Sequence, residues 1–155
     1  MKLREYMQEH KIEAEHLSFT RSCHTVKEAA EAAGAREDQL VKNICFTDGE
    51  KLVVAIVKGE DRVDTKKVET ASGRHHLKKA NPAQILEMSG YPCGGVPSFG
   101  YQAIILIDPK VMEMDMVYTG GGTDKSLVRI SPAELVRASG GIVVEIRQGS
   151  LPGHQ

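Results

Sequence analysis

Apolar and polar positions along the chain fall into short runs of two periods, divided by turn residues. The opening "MKLREYMQEH" is amphipathic and charged and predicts a short helix to about His10, followed by a strand near "EHLSFT". In "HTVKEAAEAAG", Val26, Ala29, Ala30 and Ala33 fall at helical spacing, Thr25 and Glu28 form a T-x-x-E capping box, and Gly34 supplies the stop. The apolar runs "NICF" and "KLVVAIV" flank "TDGE", which predicts a hairpin with an Asp-Gly turn between two largely buried strands. "VDTKKVETASG" predicts a short helix ending at Gly73. "NPAQILEMSG" predicts another, with Asn81 as cap, Pro82 at the first helical position and Gln84 at the capping-box position. Beyond "SGYPCGGVPSFG" come a strand, "AIILID", a turn or short helix from "DPKV", and strands near "MDMVYT" and "SLVRI" with "GGGTDK" between them. "SPAELVRASGG" repeats the cap pattern with Ser131, Pro132 and Glu134, and "IVVEI" is a last strand. "RQGSLPGHQ" has no packing pattern, so a loose tail is expected from about residue 149.

Six or seven short strands interrupted irregularly by four or five short helices do not make a regular βαβ repeat. The expectation is an α+β fold in which a mixed sheet, curled or closed into a barrel, carries the helices on its outside.

Composition narrows the function. At 155 residues, 41% of them hydrophobic, the chain fits a single domain spanning 1–155. The 20 basic and 21 acidic residues nearly cancel to a formal charge of −1, which excludes a global pull towards nucleic acid; any RNA contact has to be a local patch. Cys23, Cys45 and Cys93 are odd in number, widely spaced and without a CxxC pair, against a disulfide framework or a structural zinc site. They suit a reducing cytoplasm. The N-terminus has no apolar h-region, and no apolar stretch is long enough to span a bilayer, so no membrane partner is expected.

The chain holds no GxSxG elbow, HExxH, Walker A motif or GxGxxG after a strand. Adjacent His75 and His76 would point to opposite faces of a strand and cannot jointly hold one metal, and neighbours such as Cys23 and His24 rarely make a nucleophile–base pair. Two features remain. "YTGGGTDKS" sets three glycines at the end of an apolar strand, where successive N–H groups can form a nest for a phosphate or a polarised carbonyl. Lys42 in "LVKNICF" stands where a helical stretch gives way to a buried strand; it is either a solvated lysine or an ammonium at a cleft mouth. The Gly/Pro segment from Ser89 to Gly100 is likewise either a connector or a shaped loop that presents its backbone.

Taken in order, "HTVKEAAEAAG", "QLVKNICF", "KLVVAIVKGEDRVDTKKV", "SGYPCGGVPSFG" and "YTGGGTDKSLVRISPAEL" resemble the YbaK/EbsC family of aminoacyl-tRNA deacylases over roughly residues 15 to 147. That family comprises free-standing proteins and the editing domain inserted in bacterial prolyl-tRNA synthetases. The resemblance implies a YbaK-like fold and a catalytic constellation of Lys42, Gly95 and Gly121. Substrate contacts are implied for His24 and Thr25, for Gly94, Val96, Pro97, Ser98, Phe99 and Gly100 of the GGxxPxG-like loop, and for Gly120, Gly122, Thr123 and Asp124 of the glycine turn. One departure stands out. Where many relatives carry proline immediately before the hydrophobic residue and glycine, this chain has Ser98, with Pro97 one place earlier.

The function so implied is hydrolysis, in trans and in the cytoplasm, of the ester of a mischarged tRNA carrying Ala, Cys or another small residue. No cofactor or metal is implied. The implied partners are the tRNA acceptor end and a synthetase, the protein acting as monomer or homodimer. An activated ester needs mainly orientation and oxyanion stabilisation, which backbone donors and a lysine can supply. The alternative is a non-catalytic module that binds a nucleotide or RNA 3′ end in the same cleft.

Overall fold

A computed structural model describes residues 2–149. Five helices of eight residues each, α1 (Lys2–Glu9), α2 (Val26–Ala33), α3 (Thr65–Ser72), α4 (Pro82–Ser89) and α5 (Pro132–Ser139), surround two sheets. The first sheet is three-stranded and antiparallel, in the order β1 (Ala14–Ser18), β7 (Ser126–Ile130), β6 (Val117–Gly120). The second has five strands in the order β4 (Lys78–Lys79), β2 (Val41–Thr47), β3 (Leu52–Lys58), β5 (Ile104–Ile107), β8 (Ile142–Val143). The β2–β3 hairpin is antiparallel, while β3–β5 and β5–β8 are parallel.

Local signals set the ends of these elements. Thr25 accepts the Glu28 N–H while Glu28 returns a bond to the Thr25 N–H, and Asn81 and Gln84 do the same for α4. Gly34, Gly73, Gly90 and Gly140 close four helices in the left-handed conformation. At α5, Ser131 caps Glu134, but the Glu134 carboxylate turns away to the Glu13 N–H and to Arg137, tying the helix to the residues before β1. Residues of β3 are buried on both faces, as a central strand flanked by a parallel partner requires.

The expected curled or closed sheet is not found. Two open sheets face each other instead, because the five-stranded sheet ends on two-residue strands that offer too little edge to continue the ladder. A single parallel bridge, Leu40 to Tyr118, passes from one sheet to the other. "IVVEI" shrinks to the two residues of β8, and β4 is a strand the pattern did not announce. His75 and His76 lie on no strand; both are exposed, and His76 has φ of 58°.

Three apolar clusters result. Val54, Ile56, Ile105 and Ile107 of one sheet meet Val117, Val128 and Ile130 of the other, sealed by Leu3, Phe99 and Leu135. The outer face of the five-stranded sheet packs Phe46, Val53, Val57 and Leu106 under Val68 of α3 and Ile146. Ala29 and Ala30 of α2 cover Leu40, Tyr118 and Leu127. The expected tail lies almost wholly outside the described residues. Among the described residues no helix is long and apolar enough to cross a membrane.

Candidate functional site

The cleft opens at the start of β2, beside the Leu40–Tyr118 bridge that links the two sheets. Ladder alternation decides which groups face it. Gly59 N–H donates to Leu40 O (2.8 Å) on the β3 side, and Ala80 N–H donates to Cys45 O (2.9 Å) on the β4 side. Lys42 and Ile44 therefore spend their main-chain bonds on β3, and the Asn43 amide points to the other edge. There β4 pairs only with Phe46 and Thr47. The stretch Val41–Cys45, which β4 leaves unpaired, floors a cleft of about 340 Å³, walled by the residues before and at the start of α2, by Lys79–Ala80 and Ile85, by Cys93–Val96, and by Thr119–Gly120.

The structure gathers Lys42, His24, Thr25, Gly94, Gly95, Val96 and Gly120 on this one wall. Thr25 spends its hydroxyl on capping α2. The His24 imidazole lies against Gly94, where an added Cβ would stand 2.5 Å from Nδ1. Other expected contacts stand behind the wall. Pro97, Ser98 and Phe99 are buried, Pro97 O accepting from the Tyr101 hydroxyl (2.6 Å) and Phe99 packing beside Tyr6. Gly100, at φ 97°, lies among Leu3, Tyr6 and Tyr91. Gly121 N–H donates to Ser126 O, Gly122 N–H to Gly95 O and Thr123 N–H to Ser126 Oγ, while Asp124 O accepts from Cys23 N–H. The open nest expected of this turn is thus closed by the protein's own acceptors.

What the glycines permit is close backbone contact between the two loops. A Cβ at Gly95 would stand 2.6 Å from Thr123 backbone atoms, and one at Gly120 would stand 2.1 Å from Val96 O. Behind them lies a polar ring missing from the sequence reading. Asn43 Nδ2 donates to Val96 O (2.8 Å) and Thr119 Oγ1 (2.9 Å), and Ser98 Oγ donates to Asn43 Oδ1 (2.8 Å). With the Ser98 proton so used, the 2.7 Å contact between hydroxyls has Thr119 as donor, and every member is satisfied. Ser98 is fully buried here, so its departure from the family pattern acts on the rim from behind. The available signal was Asn43 itself, an amide beside the apolar run "ICF". His16 is a second unforeseen brace. Its Nδ1 accepts from Arg4 Nε (3.2 Å), which sets Nε2 as the donor to Gly121 O (2.8 Å).

Lys42 differs from all of these. It has no ion-pair partner among the described residues, and burial, then the nearby Arg62, hold its pKa below that of an ordinary lysine; Lys79 adds to this and Asp61 opposes it. An ammonium so placed gains from an incoming anion or carbonyl oxygen.

Comparison with known proteins shows the family of the chain. A family model for the aminoacyl-tRNA editing domain matches residues 20–138, a span that contains the cleft's walls and its floor. The chain belongs to this editing-domain family. It is 27% identical over 120 residues to the protein YwhH of Bacillus subtilis (strain 168), covering 76% of each chain. It is also 26% identical over 135 residues to the proline–tRNA ligase of Streptococcus gordonii, covering 85% of this chain but 22% of the ligase. A solved structure described as a "putative trans-editing enzyme for prolyl tRNA synthetase" superposes with a TM-score of 0.83 at 29% identity, over 96% of this chain and 93% of that one.

In this editing domain the two buried thiols on the cleft, Cys23 and Cys45, are poor nucleophiles. Burial pushes Cys45 up to about 12, with Cys93 adding to it, and burial then Glu28 raise Cys23. Among the described residues no group of three His, Cys, Asp or Glu side chains could hold a metal ion.

Proposed function

We propose that the protein hydrolyses, in trans, the ester that joins a wrongly attached small amino acid to a tRNA. The observation that carries this reading is Lys42, an ammonium with no ion-pair partner among the described residues, on the floor of a cleft in an editing-domain fold. The ester carbonyl lies against the Lys42 ammonium and the edge amide of Asn43, which stabilise the developing oxyanion, while the Cys93–Val96 rim holds the aminoacyl-ribose in line. Water, or a hydroxyl or thiol of the substrate itself, attacks. The apolar side chains of Val26, Ala29, Leu40 and Ile85 that line the cleft suit Ala, Cys or a comparably small side chain. Such a sieve serves translation in the cytoplasm, because a synthetase gains only about 1–3 kcal/mol from one methylene. The ligase and trans-editing relatives favour tRNA-Pro as the carrier and a prolyl-tRNA synthetase as the source of the error.

A second reading, a binding module for an RNA 3′ end, is favoured by the lack of an acid–base side-chain pair on the wall. Turnover separates the two. A panel of labelled aminoacyl-tRNAs, matched and mismatched, is incubated with the protein and scored for released amino acid. Release from a mismatched small-residue member supports the hydrolase, and silence across the panel leaves the binding module.

A further inference from the structure

Lys42 is one member of a larger group of cations. Lys79 lines the same cleft, and Arg62 follows in the loop after β3, which Gly59 N–H ties to Leu40 O (2.8 Å) at the start of β2; both bear on the Lys42 charge. Arg62 and Lys79 are exposed, and neither they nor Lys42 has an ion-pair partner among the described residues. Most arginines elsewhere are paired: Arg21, Arg36, Arg74, Arg129, Arg137 and Arg147 each have a carboxylate. The one opposing charge that bears on Lys42 is Asp61, whose Oδ2 is buried without a hydrogen-bond partner of its own. Lysines on a short edge strand also discourage pairing with another chain, which accounts for exposed Lys78 and Lys79 on β4 but not for Arg62. In a chain of net charge −1, Lys42 and Lys79 on the cleft with Arg62 beside it, opposed at Lys42 by Asp61 alone, are a local concentration of positive potential that edge protection does not explain in full.

We propose that Arg62 and Lys79 seat consecutive phosphates just upstream of the terminal nucleotide, whose ester lies at Lys42, so that the strand enters the cleft across β4 and the loop after β3. This rests on aminoacyl-tRNA being the substrate. It adds a direction of approach, since α2 and the glycine rim then face the aminoacyl end.

The test uses the full chain and a fluorescent RNA hairpin that mimics an uncharged acceptor stem with a single-stranded 3′ end, titrated between low and moderate salt. Two phosphate contacts predict a slope of log affinity against log salt of about −1.4 for a single strand, and the Arg62→Gln/Lys79→Gln double variant predicts a slope near zero with affinity reduced about tenfold at low salt. Thermal melting shows whether the variant folds, and single Arg62→Gln and Lys79→Gln variants with intermediate slopes serve if it does not. A folded double variant with wild-type slope and affinity overturns the proposal. A second arm compares release from aminoacyl-tRNA with release from phosphate-free aminoacyl-adenosine. The ratio of the two rates falls about tenfold in the double variant if the cations read phosphates, and stays at the wild-type value if they do not. If the wild type cleaves neither substrate, the hydrolase reading fails while the salt slope still decides this one.

Discussion

Asp108 and Lys42 stand at the same end of the five-stranded sheet with β3 between them, and they meet burial in opposite ways. Asp108 is fully buried and collects the N–H groups of Lys110, Ile146 and Arg147 together with the Arg147 guanidinium, at 2.8–3.1 Å. Burial alone would raise its pKa, and these four donors more than reverse that, holding it below the usual carboxylate range. Lys42 has no such company, and its ammonium is left for something that arrives. A buried charge with all its partners belongs to the scaffold; one without them marks the place where the scaffold expects a ligand.

The sharpest way to break this contrast is to remove the scaffold charge. Asp108→Ala strands the buried Ile146 amide and the Arg147 guanidinium, so it is expected to cost about 3 kcal/mol in urea melts. A loss below about 1 kcal/mol would put Asp108 in the same class as Lys42. Gly95→Ala comes next, at about 2 kcal/mol, because its Cβ meets the Thr123 backbone and neither loop can yield alone. Gly94→Ala meets only the His24 imidazole, which can rotate, so the melt should shift less and any loss of turnover reports on the rim itself.

Ser98→Ala opens the ring through Asn43 and Thr119 and is expected to cost about 1–2 kcal/mol. Because that ring holds Val96 O, the ratio of rates on two mischarged substrates should change as well; an unchanged ratio would make the ring a stability element alone. The smallest effects are those of pH. The Asp108 contribution to stability is complete above its unfolded pKa of about 3.9 and is lost as pH falls through the lower folded value. Turnover that needs the Lys42 ammonium is lost as pH rises through its lowered pKa, so the alkaline limb of the rate profile should fall below the ordinary lysine value of about 10.4.

Sequence reading reached the parts of this molecule whose causes are local. The capping partners of Thr25 and Asn81 lie three residues away, and both boxes form as the pattern predicts. Glu134 stands in the same pattern, but its side chain is claimed by Glu13, 121 positions distant, which no local rule sees. The glycines were visible for the same reason and their purpose was not: Gly95 and Gly120 answer to Thr123 and Val96, neighbours only after folding. The two-sheet architecture turns on parallel pairings such as β3 with β5, which join segments some fifty residues apart and leave no period in the chain. At its strand start Lys42 reads as either a solvated lysine or a cleft ammonium, and only the family resemblance singled it out. That it has no partner required the fold.

Lys42→Ala tests the central claim most directly, with thermal melting and amino-acid release measured on the same preparation. An unpaired, half-buried lysine contributes little to stability, so the melt should stay within about 0.5 kcal/mol of wild type. Release from the preferred mischarged tRNA should fall about a hundredfold or more. A folded variant with near-normal release, or a variant that unfolds as Asp108→Ala does, contradicts the claim that this charge is held in reserve for a substrate.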